Sequence, residues 1–320
     1  MIRARSCTRL GSLLVFFCIG SFAEDLPQGP ENVNAIAILR WYRTNAASTF
    51  GVGKGPGGVV FDGSSIWVSN FSDNTVTKLE ASDGALLGTF PVGPSPEGMA
   101  FDGANIWITD QASRGRVTKM RASDGTLLGT FFVGSSPIAV AFDGANIWVV
   151  NLGSSNVTKL RAVDGAVLGT FPVGFAPQGI AFDGTNIWVE NNGDSTITKL
   201  RASDGALVGT LTAGTAPVSA TFDGANMWVV NQGSNNVTEF RVSDDAVLGT
   251  FPVGALPQTA VFDGKYIWVT NFTSNTVTKL RDIDGTSVGT FATGTFPQGA
   301  AFDGANVWVV NAGDNTVSKR

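Results

Sequence analysis

Along most of the chain, short runs of alternating apolar and polar residues are separated by clusters of Gly, Asp, Asn and Ser. This period-2 pattern predicts strands and tight connections, not helices. In the stretch from Gly179 to Gly214, Gly179-Ile180-Ala181-Phe182 reads as a first strand and Asn186 to Glu190 as a second. Thr196 to Arg201 reads as a third, and Ala206 to Ala213 as a fourth. Asp183-Gly184-Thr185-Asn186 joins the first pair, and Asp204-Gly205, a dipeptide that supplies positive φ in tight hairpins, joins the last. Each such stretch is an antiparallel meander.

The meander recurs. Phe-Asp-Gly followed four residues later by Trp begins at Phe61, Phe101, Phe142, Phe182, Phe222, Phe262 and Phe302, spaced by 40 residues except for one step of 41. Seven four-stranded copies predict an all-β fold, a seven-bladed β-propeller of antiparallel blades packed around a channel; an open solenoid is the rival. In each second strand a Trp alternates with Ile, Val or Met on the other pleat face, as a sheet covered on both sides requires. Burying an indole of roughly 150–250 Å² at about 25 cal/mol per Å² contributes on the order of 4–6 kcal/mol, so the Trp ladder is a wedge between blades. The last copy stops in its third strand, and Ala47 to Gly53 matches the missing fourth. The N-terminal strand is therefore expected to complete the last blade and close the ring.

Three segments follow. Residues 1–23 resemble a signal peptide, with Arg3, Arg5 and Arg9, an apolar core from Leu13 to Ile19, and Ser21-Phe22-Ala23 before the expected cleavage. The apolar run is too short for a permanent membrane span. Residues 24–45 form a linker whose apolar part, Val33 to Arg43, reads as a helix or an extra strand, and 46–320 form the propeller. The expected location is outside the cytoplasm: periplasmic, secreted or at the cell surface.

Composition narrows the chemistry. Cys7 and Cys18 lie in the leader and the chain has no histidine, so the mature protein has no thiol or imidazole for a catalytic triad or a histidine- or thiolate-ligated metal. Without the leader, 18 basic residues face 26 acidic ones, a formal charge of −8, which argues against duplex nucleic acid as a partner. No cofactor and no metal site is expected, and binding is expected to be nearly flat between pH 6 and 8 unless a carboxylate or lysine is strongly shifted.

The run Ile267-Trp268-Val269-Thr270-Asn271, with Ser274-Asn275-Thr276-Val277, Gly289-Thr290-Phe291 and Pro297-Gln298-Gly299, resembles the YVTN-type β-propeller repeat with Trp for Tyr. The resemblance covers about residues 46–320 and implies architecture more than activity; such proteins are often exported. The more distant streptogramin-cleaving lyases use a histidine with a bound magnesium, and that histidine is absent here.

Features common to all copies read as structural. The Asp of each Phe-Asp-Gly is expected to hydrogen-bond its turn. The third-strand lysines, such as Lys159 beside Arg161, are expected to lay their stems on the blade and their heads in water, with Glu239 in one copy as a cross-blade partner. The differences fall on one rim, formed by the second-to-third loops and the connections between copies. The candidate binding residues are Glu97, Asp110, Arg114, Arg116, Gln178, Glu190 and Asn192, with Arg114 and Arg116 in the lengthened loop. These point to a non-catalytic scaffold whose rim recognises a protein, glycan or small ligand. The alternatives are a carboxylate and divalent-metal lyase or lactonase on that rim, or a surface-layer building block.

Overall fold

The computed structural model describes residues 48–111 and 114–320; the expected leader and linker lie outside the described residues. Seven four-stranded antiparallel sheets run from an inner strand to an outer one, blades 1 to 7 in chain order. In blade 4 the strands are Pro177–Phe182, Asn186–Asn191, Thr196–Arg201 and Leu207–Thr212. The inner strand starts two residues earlier than its sequence suggests, because a bulge between Pro177 and Gly179 lets Pro177 still pair with Asn191. The outer turn is also longer than a two-residue hairpin. The Arg201 amide reaches the Ala206 carbonyl and the Gly205 amide returns to the Arg201 carbonyl, leaving four residues in the loop. Gly205 has φ of 78°, and a β-carbon there would overlap the Phe171 ring of blade 3.

Blade 7 closes as expected. Ser48–Gly51 supplies its outermost strand, pairing Phe50 with Val317 and Ser48 with Lys319. Each core lies between blades: Trp148, Val150 and Val157 of blade 3 pack on Ile187, Val189 and Leu200 of blade 4. Except in blade 4, the Trp rings rest against outer-strand Phe rings, as with Trp148 and Phe171 at 5.5 Å. Each Trp also donates its indole N–H to the Asp five residues before it, at 2.7 Å for Trp188 and Asp183. The same carboxylate accepts the turn amides of Thr185 and Asn186, so one Asp ties turn and wedge together.

The lysines correct the sequence reading. Lys159 is 5% exposed, and its ammonium donates to the Ala202 and Ser203 carbonyls of the next blade at 2.6 and 3.0 Å while lying over Trp148. Lys78, Lys119 and Lys319 repeat this clasp. The neighbouring blade's outer turn covers the face on which alternation placed them, so only arginines such as Arg161 reach water, where they pair with Asp164. Glu239, in the lysine position, does not meet a cation across the blade. It accepts from Asn226, and burial together with the Asp223 and Asp282 carboxylates pushes it up to about 7.

Blade 5 departs in a coordinated way. Asp245 stands at the outer-turn glycine position with φ of 60°, and its carboxylate takes Lys199 of blade 4 at 2.6 Å. Its β-carbon leaves no room for a Phe, and blade 4 carries Leu211 there. The vacated volume is filled from the other side by Phe240, whose ring lies 6.0 Å from Trp188.

Candidate functional site

The variable rim is built from interlocked loops. The Phe71 amide bonds the Gly55 carbonyl, and the Phe272 amide the Leu256 carbonyl, tying each second-to-third loop to the connection entering its own blade. The residue before each inner-strand Pro is left-handed, including bulky Leu256 (φ 53°) and Phe296 (φ 54°). Phe296 is clamped on both sides: its amide donates to Asn275 Oδ1 at 2.8 Å and its carbonyl accepts from Ala312. The residue is 42% exposed, and its ring stacks on Phe272 at 4.8 Å and 16°. Leu256 and Phe71 are also exposed, giving blades 6, 7 and 1 an apolar arc on this rim, while Phe175 stands out by itself at blade 4.

Inside the rim lies the channel mouth, a cavity of about 280 Å³ walled by the first halves of the inner strands. The residue after each inner-strand Pro marks one level of this wall: Gly57, Glu97, Ile138, Gln178, Val218, Gln258 and Gln298. Glu97 and Gln178 were legible as candidates, and the structure adds Gln258 and Gln298 to the same ring. Among the described residues lining the mouth, Glu97 is the sole ionisable one, and the surrounding wall pushes its carboxyl up to about 7 by desolvation.

The other candidates do not converge with it. Arg114 is exposed in its loop, and Arg116, half-buried, stands in register opposite Asp110. Asp110 is fully buried in the layer that Asn fills in the other blades. It accepts from Thr118 at 2.6 Å, and burial pushes it up to about 6 although Arg116 opposes this. Asn192 is half-buried, with its side-chain N–H near the Pro217 carbonyl.

Glu190 is fully buried between blades 4 and 5, behind Gly179, with both carboxyl oxygens unpartnered; burial pushes it up to about 8. In blades 1, 2 and 6 this position carries Ser69, Thr109 or Thr270, whose hydroxyl accepts an inner-strand amide and donates to a carbonyl of the next blade. Four carboxyl groups therefore sit at about 6 to 8, the strong shift by which a chain without histidine can titrate in this range.

No family model and no curated protein sequence matches the chain. Among solved structures it is similar to hydrazine synthase of Kuenenia stuttgartiensis, with a TM-score of 0.73 at 18% identity over 83% of this chain and 95% of that one. It is likewise similar to a streptogramin B lyase, with a TM-score of 0.73 at 19% identity over 86% and 96%. At this identity the likeness is one of fold.

Proposed function

We propose that this chain is an exported, non-catalytic binding module of the YVTN-repeat type, with the variable rim as its recognition face. The observation that carries the reading is the rigid aromatic pair Phe272 and Phe296 beside a polar channel mouth, a mixed apolar and polar surface of the kind that partner sites use. The carboxylates support binding over hydrolysis, since Glu97 stands alone in the mouth while Asp110 and Glu190 are buried away from it. The charged, apolar and small-residue order of residues 1–23 supports export.

The test is crosslinking of the mature protein to envelope and extracellular fractions of cells that export it, followed by identification of the crosslinked species. Phe272→Ser with Phe296→Ser should abolish one saturable crosslink, and Arg161→Ala with Arg201→Ala, on the opposite rim, should retain it. Equal crosslinking by both double variants would overturn the assignment of the rim. An N-terminus at Glu24 on the exported protein checks the leader.

A further inference from the structure

The seven-residue ring in the channel mouth is uneven, and its unevenness is local. Blade 1 contributes Gly57, which leaves a slot between the side chains of its two neighbours, Gln298 of blade 7 and Glu97 of blade 2. A β-carbon built on Gly57 would lie 3.1 Å from Glu97 Oε1 and 3.3 Å from Gln298 Oε1, so both acceptor oxygens crowd the same gap. Among the described residues desolvation alone acts on the Glu97 carboxyl, with no hydrogen bond or charge answering it, and no Lys or Arg lines the cavity. Two acceptors, one of them a carboxylate, converging at the edge of the channel mouth are the complement of a cationic donor.

We propose that this slot receives an organic cation, a primary ammonium or guanidinium group, entering from the variable rim. The inference rests on the reading of that rim as a recognition face. One carboxylate with neighbouring carboxamides is a poor set for a hard divalent ion, which takes six to eight oxygens with several carboxylates among them. A carbon-bearing cation fits better, because Val59, Met99 and Ala300 line the wall beside the slot and can cover its stem. Arg114 stands outside the cavity on its loop and does not compete for Glu97.

The walls also make the site responsive to pH. With Glu97 raised to about 7, the slot is largely neutral at pH 6 and largely anionic at pH 8, so cation binding strengthens across that interval. Among the described residues no other titratable group lines the mouth; Glu190, in the second strand of blade 4, lies behind Gly179.

The experiment titrates the mature protein with butylammonium and with methylguanidinium at pH 6 and pH 8, read by amide chemical shifts of the inner strands. A calcium titration and an array of Lys- or Arg-bearing peptides run in parallel. Binding should be several-fold tighter at pH 8, and Glu97→Gln should lower it by about tenfold and flatten the pH dependence. Gly57→Ile, the residue that blade 3 carries at this level, should fill the slot and block binding in a folded protein. Glu239→Gln, which removes a similarly raised carboxyl on the other rim, should change nothing.

Peptides that bind more tightly than the free cations, and lose that advantage with Phe296→Ser, would identify a partner's side chain as the source. Equal affinities would identify a free amine. Calcium outcompeting both cations, no shift with either cation, or binding indifferent to Glu97→Gln would overturn the proposal. If the rim crosslink survives Glu97→Gln and no cation binds, this inference fails alone; if the Phe272 and Phe296 variants lose no crosslink, the underlying reading fails whatever the slot binds.

Discussion

Replacing Glu190 by Gln should make the protein more stable, and by an amount that grows with pH. The carboxyl is fully buried, has no hydrogen-bond partner, and shares the space beside Gly179 with the Val218 carbonyl of the next blade, so only its protonated form suits the site. Its carboxyl is raised from 4.5 to about 8 in the fold. Between those values the folded chain holds a proton that the unfolded chain has released, so stability falls as pH rises. The contribution is fully present below the unfolded value, is lost at about 1.4 kcal/mol per pH unit through the window, and is exhausted above pH 8. The whole window amounts to on the order of 5 kcal/mol.

Gln keeps the shape and cannot ionise. Urea unfolding of both proteins from pH 5 to pH 9 isolates the residue, because Glu97, Glu239 and the lowered turn carboxylates titrate in both and cancel in the difference. The advantage of Glu190→Gln should widen steadily up to pH 8 and then level off. Parallel curves would refute the reasoning, since they would mean that Glu190 ionises in the fold as readily as in the unfolded chain. Glu190→Thr, which restores the hydroxyl bridge of blades 1, 2 and 6, should follow the same pH dependence as Glu190→Gln.

Further expectations come from other contacts. Lys159→Met should cost about 2 kcal/mol in denaturant unfolding, because it removes a charged donor from two buried carbonyls and from the Trp148 face; a neutral result would mean that the clasp is idle. Leu211→Phe should cost about 1–3 kcal/mol by overpacking against Asp245, and Asp245→Gly with Phe240→Leu should restore most of that; failure of this rescue in a triple-mutant cycle would separate the three positions. If the rim partner is anionic at blade 2, Arg114→Ala should weaken it by about tenfold without moving Tm, whereas Arg161→Ala should not; equal losses would point to diffuse charge. Arg116 is a poorer probe, because it faces buried Asp110 and its removal would perturb the fold.

The ring, the blade limits to within two residues and the closing strand were legible because the sequence states each of them several times over. The Trp-to-Asp bond was missed although its five-residue spacing is kept in every copy, because the turn alone was a sufficient explanation for the Asp. The lysine clasp was not legible. Alternation assigns Lys159 and Arg161 to one face, yet whether that face meets water depends on where the next blade's outer turn lies. The raised carboxyls were hidden for the same reason: nothing in the local sequence around Glu97 or Glu190 reveals that walls from other blades remove its water. The exchange at Leu211, Phe240 and Asp245 could have been found as three departures in register across two adjacent blades.

The four raised acids each replace a different residue of the repeat, and their surroundings sort them. Asp110 has a guanidinium across the strand pair and a hydroxyl donating to it, so its charge is partly answered within blade 2. Glu239 faces two carboxylates and an amide, which makes a proton its simplest companion. Glu190 is sealed among backbone carbonyls and apolar side chains, where a proton is the only occupant small enough. Of the four, only Glu97 combines an unanswered carboxylate with a place in the channel-mouth wall and a second acceptor, Gln298 Oε1, beside it. A charge held in a half-buried place without a partner is costly to the free protein. That cost is recovered when a cation arrives, which is why the search for a ligand should begin at the glycine that leaves the slot open.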